Sequence, residues 1–382
     1  MRWRRRGTSH EPLLSVVVPV FDVAAYLPAA LDSVLAQSHS RLDVVVVDDG
    51  STDDSGAVAD EYASRDSRVR VVHTDNRGLG AARNEGLEHA RGDLVAFLDS
   101  DDVVPSDAYA TMLASLAGSG SDFVTGSVVR WESPGGPDER WIEPPWMRRL
   151  HVPMRSRIVA AEHPEILGDV FAWNKLFRRS FWDVTGLSWP EGVRYEDQPT
   201  TTRAFLAGRF DVLSEVVYHW RIRADGSSIT QQRSSIHDLT DRLSSKRVAL
   251  ASVASYGDPT TSRVFLDRVL AGDLHRYFAE IPGCSDEWWA LLCGAVREFW
   301  GGRSLVHIGL PPAHRLTGWL VEQNRRDDAA AVMAYAASLA PDPLPRVLDD
   351  GPARLDVSAV PGLTDPADLP LAALALRPHE LR

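Results

Sequence analysis

Four short runs of aliphatic and β-branched residues, Leu14 to Val20, Leu42 to Val47, Val69 to Val72 and Leu94 to Leu98, alternate with helical patterns over the first hundred residues. Each run is apolar at consecutive positions, as expected of a strand covered on both faces. Between them, Leu27, Leu31, Val34 and Leu35 recur at helical spacing with Pro28 in the first turn. Asp53 or Asp54 is placed to cap a helix through Tyr62, and Gly78-Leu79-Gly80 opens another through Ala90. This alternation predicts a parallel, doubly wound α/β sheet. Ligands of such sheets lie beyond the carboxyl ends of the strands. The polar clusters fall at those ends: Phe21-Asp22, Asp48-Asp49, Asp75-Asn76 and Asp99 through Asp102.

Further along, Ser106 to Leu116 reads as a helix and Phe123 to Val129 as a strand. Arg140 to Arg157 is rich in Trp, Pro and Arg without periodicity, and reads as a long loop or lid. Phe171 to Phe181 and Val193 to Ala207 read as helical, and Val212 to Trp220 as a returning strand. Beyond Ser234 long amphipathic segments predict an α-helical C-terminal region, with a loosely ordered Pro- and Asp-rich tail from Pro341. The resulting organisation is a basic tail (1–12), a catalytic domain (13–233, with a donor half 13–105 and an acceptor half 106–233), a helical region (234–340) and a tail (341–382).

Asp99-Ser100-Asp101-Asp102 leaves the fourth strand directly. Strand alternation would let Asp99 and Asp101 converge. Two carboxylates at one point share a proton or hold a divalent cation, and Mg²⁺ or Mn²⁺ takes one or two protein carboxylates with phosphate oxygens completing the shell. The plainer alternative is an acidic turn before the next helix. Asp49 is suited to accept from a base N–H or ribose hydroxyls, or to form a turn. Asn76 through Asn84 opens a helix with two glycines, and Arg83 lies one turn in, within reach of an anion. The spacing fits neither a dinucleotide fingerprint nor a Walker loop.

Composition narrows the function classes. A formal net charge of −12 over 382 residues argues against a general nucleic-acid binder. Cys284 and Cys293 are too few for a metal site and badly spaced for a disulfide. No signal-type or membrane-spanning apolar run is present, so a cytoplasmic location is expected. The start, Arg2-Trp3-Arg4-Arg5-Arg6, suits either a solvated tail or peripheral contact with an anionic inner membrane face.

In order and spacing, Val16-Val17-Val18-Pro19-Val20-Phe21, Asp48-Asp49-Gly50-Ser51, Arg77 through Asn84 and Phe97 through Asp102 resemble the family 2 glycosyltransferases of the GT-A fold. The resemblance covers residues 13 to 115 and implies a doubly wound mixed sheet and a nucleotide-sugar donor, commonly uridine diphosphate-linked. It implies donor contacts from Pro19, Phe21, Asp49, Asn76, Arg83 and Asp99, with Asp101 as metal ligand. Asp22 departs from the Asn or Tyr common there. Trp173-Asn174-Lys175, Glu196-Asp197 and Tyr218-His219-Trp220-Arg221 resemble the acceptor half of bacterial teichoic-acid and capsule-polymer transferases. That likeness implies Asp197 as catalytic base with Glu196 beside it, and His219 completing the metal site. It also implies acceptor contacts from Trp173, Asn174 and Lys175, and closure of Arg221, Arg223, Ser227 and Ser228 over the diphosphate. The implied activity is inverting transfer to a wall, teichoic or capsular glycan. The alternatives are a polyol-phosphate transferase of the same fold and a non-catalytic sugar-binding relative. Trp141, Trp146 and Trp189 are candidates for sugar stacking or for packing. Trp288, Trp289 and Trp300 are expected in a core.

Overall fold

A computed structural model describes residues 11–223, 234–349 and 351–381. The Arg2–Arg6 run and Ser227 and Ser228 lie outside them. The chain divides into two compact units, residues 1–227 with 251–256, and residues 228–250 with 257–382.

In the first unit the chain order is β1 (Leu14–Val20), α1 (Leu27–Leu35), β2 (Leu42–Asp49), α2 (Ser55–Arg65), β3 (Val69–Thr74), α3 (Leu79–His89), β4 (Leu94–Phe97) and α4 (Ala108–Ser119). Then come β5 (Phe123–Glu132), β6 (Arg140–Ile142), α5 (Pro145–His151), β7 (Arg155–Ile158), β8 (Lys175–Arg178), α6 (Arg179–Thr185), α7 (Asp197–Ala207) and β9 (Phe210–Arg221). The sheet runs β3-β2-β1-β4-β8-β5-β9-β7, with β6 paired to β5. β1 to β4 are mutually parallel, while β8 lies antiparallel between β4 and β5. It is the mixed α/β sheet that the resemblance implies, while the parallel order read from the alternation holds for β1 to β4.

The β1 and β2 residues are buried on both faces. Val44 and Val46 join Val16, Val18, Leu27 and Leu31 in one core, and Val45 and Val47 pack with Ala82 on the other side. Helices on both faces account for the unbroken valine runs. Pro19 sits inside β1, where a central strand would resist it. β4 ends at Phe97 opposite Val17, so Pro19 has a paired neighbour on the β2 side alone.

Two secondary-structure expectations for the first unit fail. Phe171 to Phe181 is not a helix: residues 171–174 form a turn, then β8 and α6 follow. Leu176 and Phe177 are buried in the sheet centre, and a run so short and apolar carries no period that tells strand from helix. Nor is 140–157 one loop: β6, α5 and β7 occupy it, held by pairing to β5 and β9 that composition does not reveal.

The second unit is helical, as the sequence predicts. α8 (Ile236–Tyr256), whose residues 251–256 are grouped with the first unit, precedes α9 (Pro259–Val264), which continues through a π-helical turn (Phe265–Leu270), α10 (Ala271–Leu274) and a 3₁₀ segment (His275–Glu280). α11 (Asp286–Trp300), α12 (Pro312–Glu322) and α13 (Arg326–Leu339) follow. Trp288, Trp289 and Trp300 are core residues. The expected loose tail is instead ordered. β10 (Arg346–Val347) pairs with β11 (Arg354–Leu355), and α14 (Leu371–Leu374) follows. Leu355, Leu369 and Leu374 are buried. Among the described residues no helix is long and apolar enough to cross a membrane.

Candidate active site

At the carboxyl ends of β1 and β2 three loops are sewn together. Asp22 takes a left-handed backbone (φ 49°), which a short polar side chain tolerates. Its carboxylate accepts from the backbone N of Thr52 (2.7 Å) and Asp53 (3.3 Å). Asp53 in turn accepts from the backbone N of Ala24 and Ser55 and so opens α2. Asp49 is buried and accepts from the backbone N of Arg77 (2.9 Å) and Gly78 (2.8 Å). It builds the entrance to α3, the turn role that the sequence offered beside a ligand contact. Gly50 (φ +73°) allows this closeness, because a Cβ there would stand 2.7 Å from the Asn76 nitrogen. Phe21 is 47% exposed, and Asn76 is exposed beside this loop. Pro19 is buried inside β1.

Beyond β4 the acidic run is a turn, with Asp102 N donating to Asp99 O (3.1 Å). The strand ends at Phe97, so strand alternation no longer governs where these side chains point. Asp99 and Asp101 accordingly take different partners. Asp99 accepts from Arg83 Nη2 (2.8 Å), and Asp101 accepts from Arg223 Nε (2.8 Å). Asp102 is buried and accepts from Tyr218 Oη (2.9 Å) and the Arg221 backbone N (2.7 Å). Burial, with Asp101 and Asp99 nearby, holds its carboxyl well above the ordinary carboxylate range. Tyr218 Oη also accepts from Asp99 N (3.2 Å). Asp102 and Tyr218 thus fasten the turn to β9, a role that sequence reasoning missed. Strand parity held the signal, since Tyr218 and His219 must face opposite ways.

Arg83 is the hub. Its side chain is 0% exposed and lies against Trp189 (5.1 Å). Nη1 donates to Glu196 Oε1 (2.5 Å) and Asp197 Oδ1 (2.5 Å) while Nη2 holds Asp99. Burial opposes its charge, but Asp197, Asp99 and Glu196 outweigh that and raise its pKa. Arg83 is thus enclosed and organises carboxylates. Two features of α3 make this possible. Gly80 lies so close to the 189–196 loop that a Cβ would fall 2.0 Å from Pro190 O. Asn84 Nδ2 donates to Trp189 O (2.9 Å), and Trp189 N donates back to Asn84 Oδ1 (2.9 Å).

Glu196 is buried, whereas the Asp197 side chain stays 20% exposed at the start of α7. Tyr195 before them has φ 64°, a strained setting typical of functional loops. Burial and Asp197, against the pull of Arg83, push the Glu196 carboxyl up to about 8. Burial, with Asp197 and Asp101 adding and Arg83 opposing, pushes Asp99 up to about 6. Arg221 lies over Trp131 (4.2 Å) and donates from Nε to Asp101 O (2.7 Å). Arg83 thus pairs with Asp99, Glu196 and Asp197, and Arg223 with Asp101, while the Asp102 carboxyl is held by Tyr218 Oη and the Arg221 backbone N.

Other expected contacts are not gathered here. His219 turns away from Tyr218 and packs on Trp141 (centroids 4.5 Å), and burial lowers its pKa. Among the described residues no group of three or more His, Cys, Asp or Glu side chains could hold a metal. Trp173 stacks on Tyr218 (4.0 Å) and Phe171 (4.4 Å) inside the core. Asn174 and Lys175 are buried in a polar network. None of these three presents itself to an acceptor. Trp189 is buried, whereas Trp141 is 47% exposed.

Residues 15–185 match the family model for glycosyl transferase family 2. This chain carries a family 2 glycosyltransferase domain. The glycosyltransferase EpsH of Bacillus subtilis is 35% identical over 226 residues, 58% of this chain and 63% of EpsH. The chain thus spans less than two thirds of that relative's length. Staphylococcus aureus TarS 1–349, solved in complex with UDP-GlcNAc, has a similar fold (TM-score 0.65, 20% identity, 90% of this chain, 96% of that one). A Pyrobaculum calidifontis mannosyltransferase, solved with GDP-Man and Mn²⁺, is more distant (TM-score 0.50, 20% identity, 87% and 89%). The family 2 enzymes are transferases, and the GT-A mixed sheet expected from the motifs is the one observed. The likeness to TarS extends into the helical region, which the sequence motifs do not reach.

Proposed function

We propose that this protein transfers a sugar, with inversion, from a nucleotide-diphosphate donor to a hydroxyl of a wall, teichoic or capsular glycan. The observation that carries this reading is the Arg83 hub, which joins Asp99 on the donor turn to Asp197 across the cleft. A single displacement needs a base near the anomeric carbon and charge stabilisation at the leaving group. Asp197 would take the proton of the attacking hydroxyl as its oxygen bonds the anomeric carbon. The bond from that carbon to the diphosphate breaks, and a nucleoside diphosphate leaves. Phe21 and the Asp49-braced loop would hold the nucleoside, and Arg221 and Arg223 would face the diphosphate.

A uridine donor is supported by the UDP-GlcNAc complex of TarS, and a divalent cation by the Mn²⁺ complex of the mannosyltransferase. Asp101, whose side chain is 23% exposed, would hold a hard divalent cation, with Asp99 beside it. Such an ion would neutralise charge on the departing diphosphate. The residue in question is tested by Asp197→Asn. UDP binding by calorimetry is expected to stay within about twofold of wild type, while transfer falls by about 10²-fold or more, as for a lost general base. Near-native turnover would put the base elsewhere.

A further inference from the structure

Trp173-Asn174-Lys175 stands out in the sequence, yet all three side chains are buried and none is placed to touch a sugar. The surroundings of Lys175 suggest a different task. Its Nζ donates to Asp169 O (3.0 Å), Phe171 O (2.8 Å) and Asn174 Oδ1 (2.9 Å), and pairs with Asp169 Oδ1 (3.0 Å). Two of those acceptors are backbone carbonyls of one turn, so Lys175 ties the 169–174 loop from within. Asp169 is anchored in turn by Thr125 Oγ1 of β5 (2.6 Å), Asn174 Nδ2 (3.1 Å) and His151 Nε2 of α5 (3.3 Å).

The same loop reaches the cleft. Ala172 N donates to Asp197 Oδ2 (3.4 Å), and Thr201 Oγ1 of α7 donates to Val170 O (3.2 Å). Asp197 therefore has two anchors, Arg83 on Oδ1 and the loop on Oδ2. Without the second, the carboxylate is free to swing about the first. A fully buried ion pair is a poor way to add stability, since apolar replacements often do as well. Here it brings geometric definition to a loop with no regular structure.

We propose that the buried Asp169–Lys175 pair is a positioning device for Asp197, fixing the loop whose Ala172 N–H aims the carboxylate at the acceptor hydroxyl. This rests on the reading of Asp197 as base. A displacement of about 1 Å at a reacting group can lower a rate about 10²-fold.

A double-mutant cycle tests it. Lys175→Met is made in the wild-type and Asp197→Asn backgrounds, with UDP binding by calorimetry and steady-state transfer as readouts. The expected result is a fall in kcat of about tenfold or more in the wild-type background, with UDP affinity within about twofold. In the Asp197→Asn background Lys175→Met should cost nothing further, because a residue acting through another loses its effect when that other is gone. An equal loss in both backgrounds, or unchanged kcat, overturns the proposal. Near-native turnover of Asp197→Asn alone overturns the base reading itself, a separate outcome. If Lys175→Met does not fold, Asp169→Asn/Lys175→Met removes both charges at similar shape, and the same cycle with the same expectations applies.

Discussion

Single residues carry most of the chemistry, and their surroundings decide their roles. Glu196 and Asp197 are adjacent carboxylates that the same guanidinium holds, yet one is buried and the other is open. Burial pushes Glu196 up to about 8, so the folded protein holds a proton that the unfolded chain releases near the ordinary 4.5. The stability linked to that proton is complete below 4.5 and is lost as pH rises through about 8. Glu196→Gln stays neutral throughout, so its melting temperature should decline less than that of wild type over this window. Parallel melting curves would remove the assignment. Asp101 tests the cation: Asp101→Ala should abolish the Mn²⁺-dependent part of UDP binding in calorimetry, and an unchanged titration would move the ion away from this carboxylate. Asp99, Asp101, Glu196 and Asp197 were all legible in sequence as candidates. The enclosure of Arg83 and the turning away of His219 were not, because exposure and facing follow from neighbours distant in the chain.

At the scale of elements, α3 joins the two parts of the site. Its first turn is pressed onto the 189–196 loop through Gly80 and pinned there by Asn84. Gly80→Ala would drive a methyl group into the Pro190 carbonyl, a backbone atom that cannot swing aside. Overpacking of this kind costs about 1–3 kcal/mol. The variant should melt earlier and lose transfer more steeply than UDP binding, since Arg83 would be lifted from Glu196 and Asp197. A variant with native melting and turnover would show that the loop is free to retreat. The β1 to β4 unit was readable because each buried parallel strand announces itself by a valine-rich run and ends in a polar cluster. β8 was not readable. Its four residues gain strand character from β4 and β5 on either side, and no local pattern encodes that pairing.

At the scale of the whole chain, the two units rest on different devices. The first is built on its sheet. In the second, buried Arg315 gathers Leu310 O (2.8 Å), Ala375 O (2.8 Å) and the Glu380 carboxylate, and so draws residues beyond Pro341 into the fold. Glu380→Ala leaves a buried guanidinium without its carboxylate, a loss of about 3–5 kcal/mol for broken buried pairs. Denaturant unfolding followed by circular dichroism should show an earlier helical transition, and an unmoved midpoint would mean that the tail is held by its leucines alone. By itself the sequence determined the α/β class, the helical C-terminal region, the family and the acidic residues at the strand ends. These follow from local periodicity and motif spacing, which the chain carries wherever it folds. Only the tertiary structure decided that Arg83 is enclosed among carboxylates, that Asp99 and Asp101 take different partners, and that Lys175 is buried within the 169–174 loop. Each of those outcomes depends on which distant segments exclude water from a side chain and which polar atoms they offer in its place.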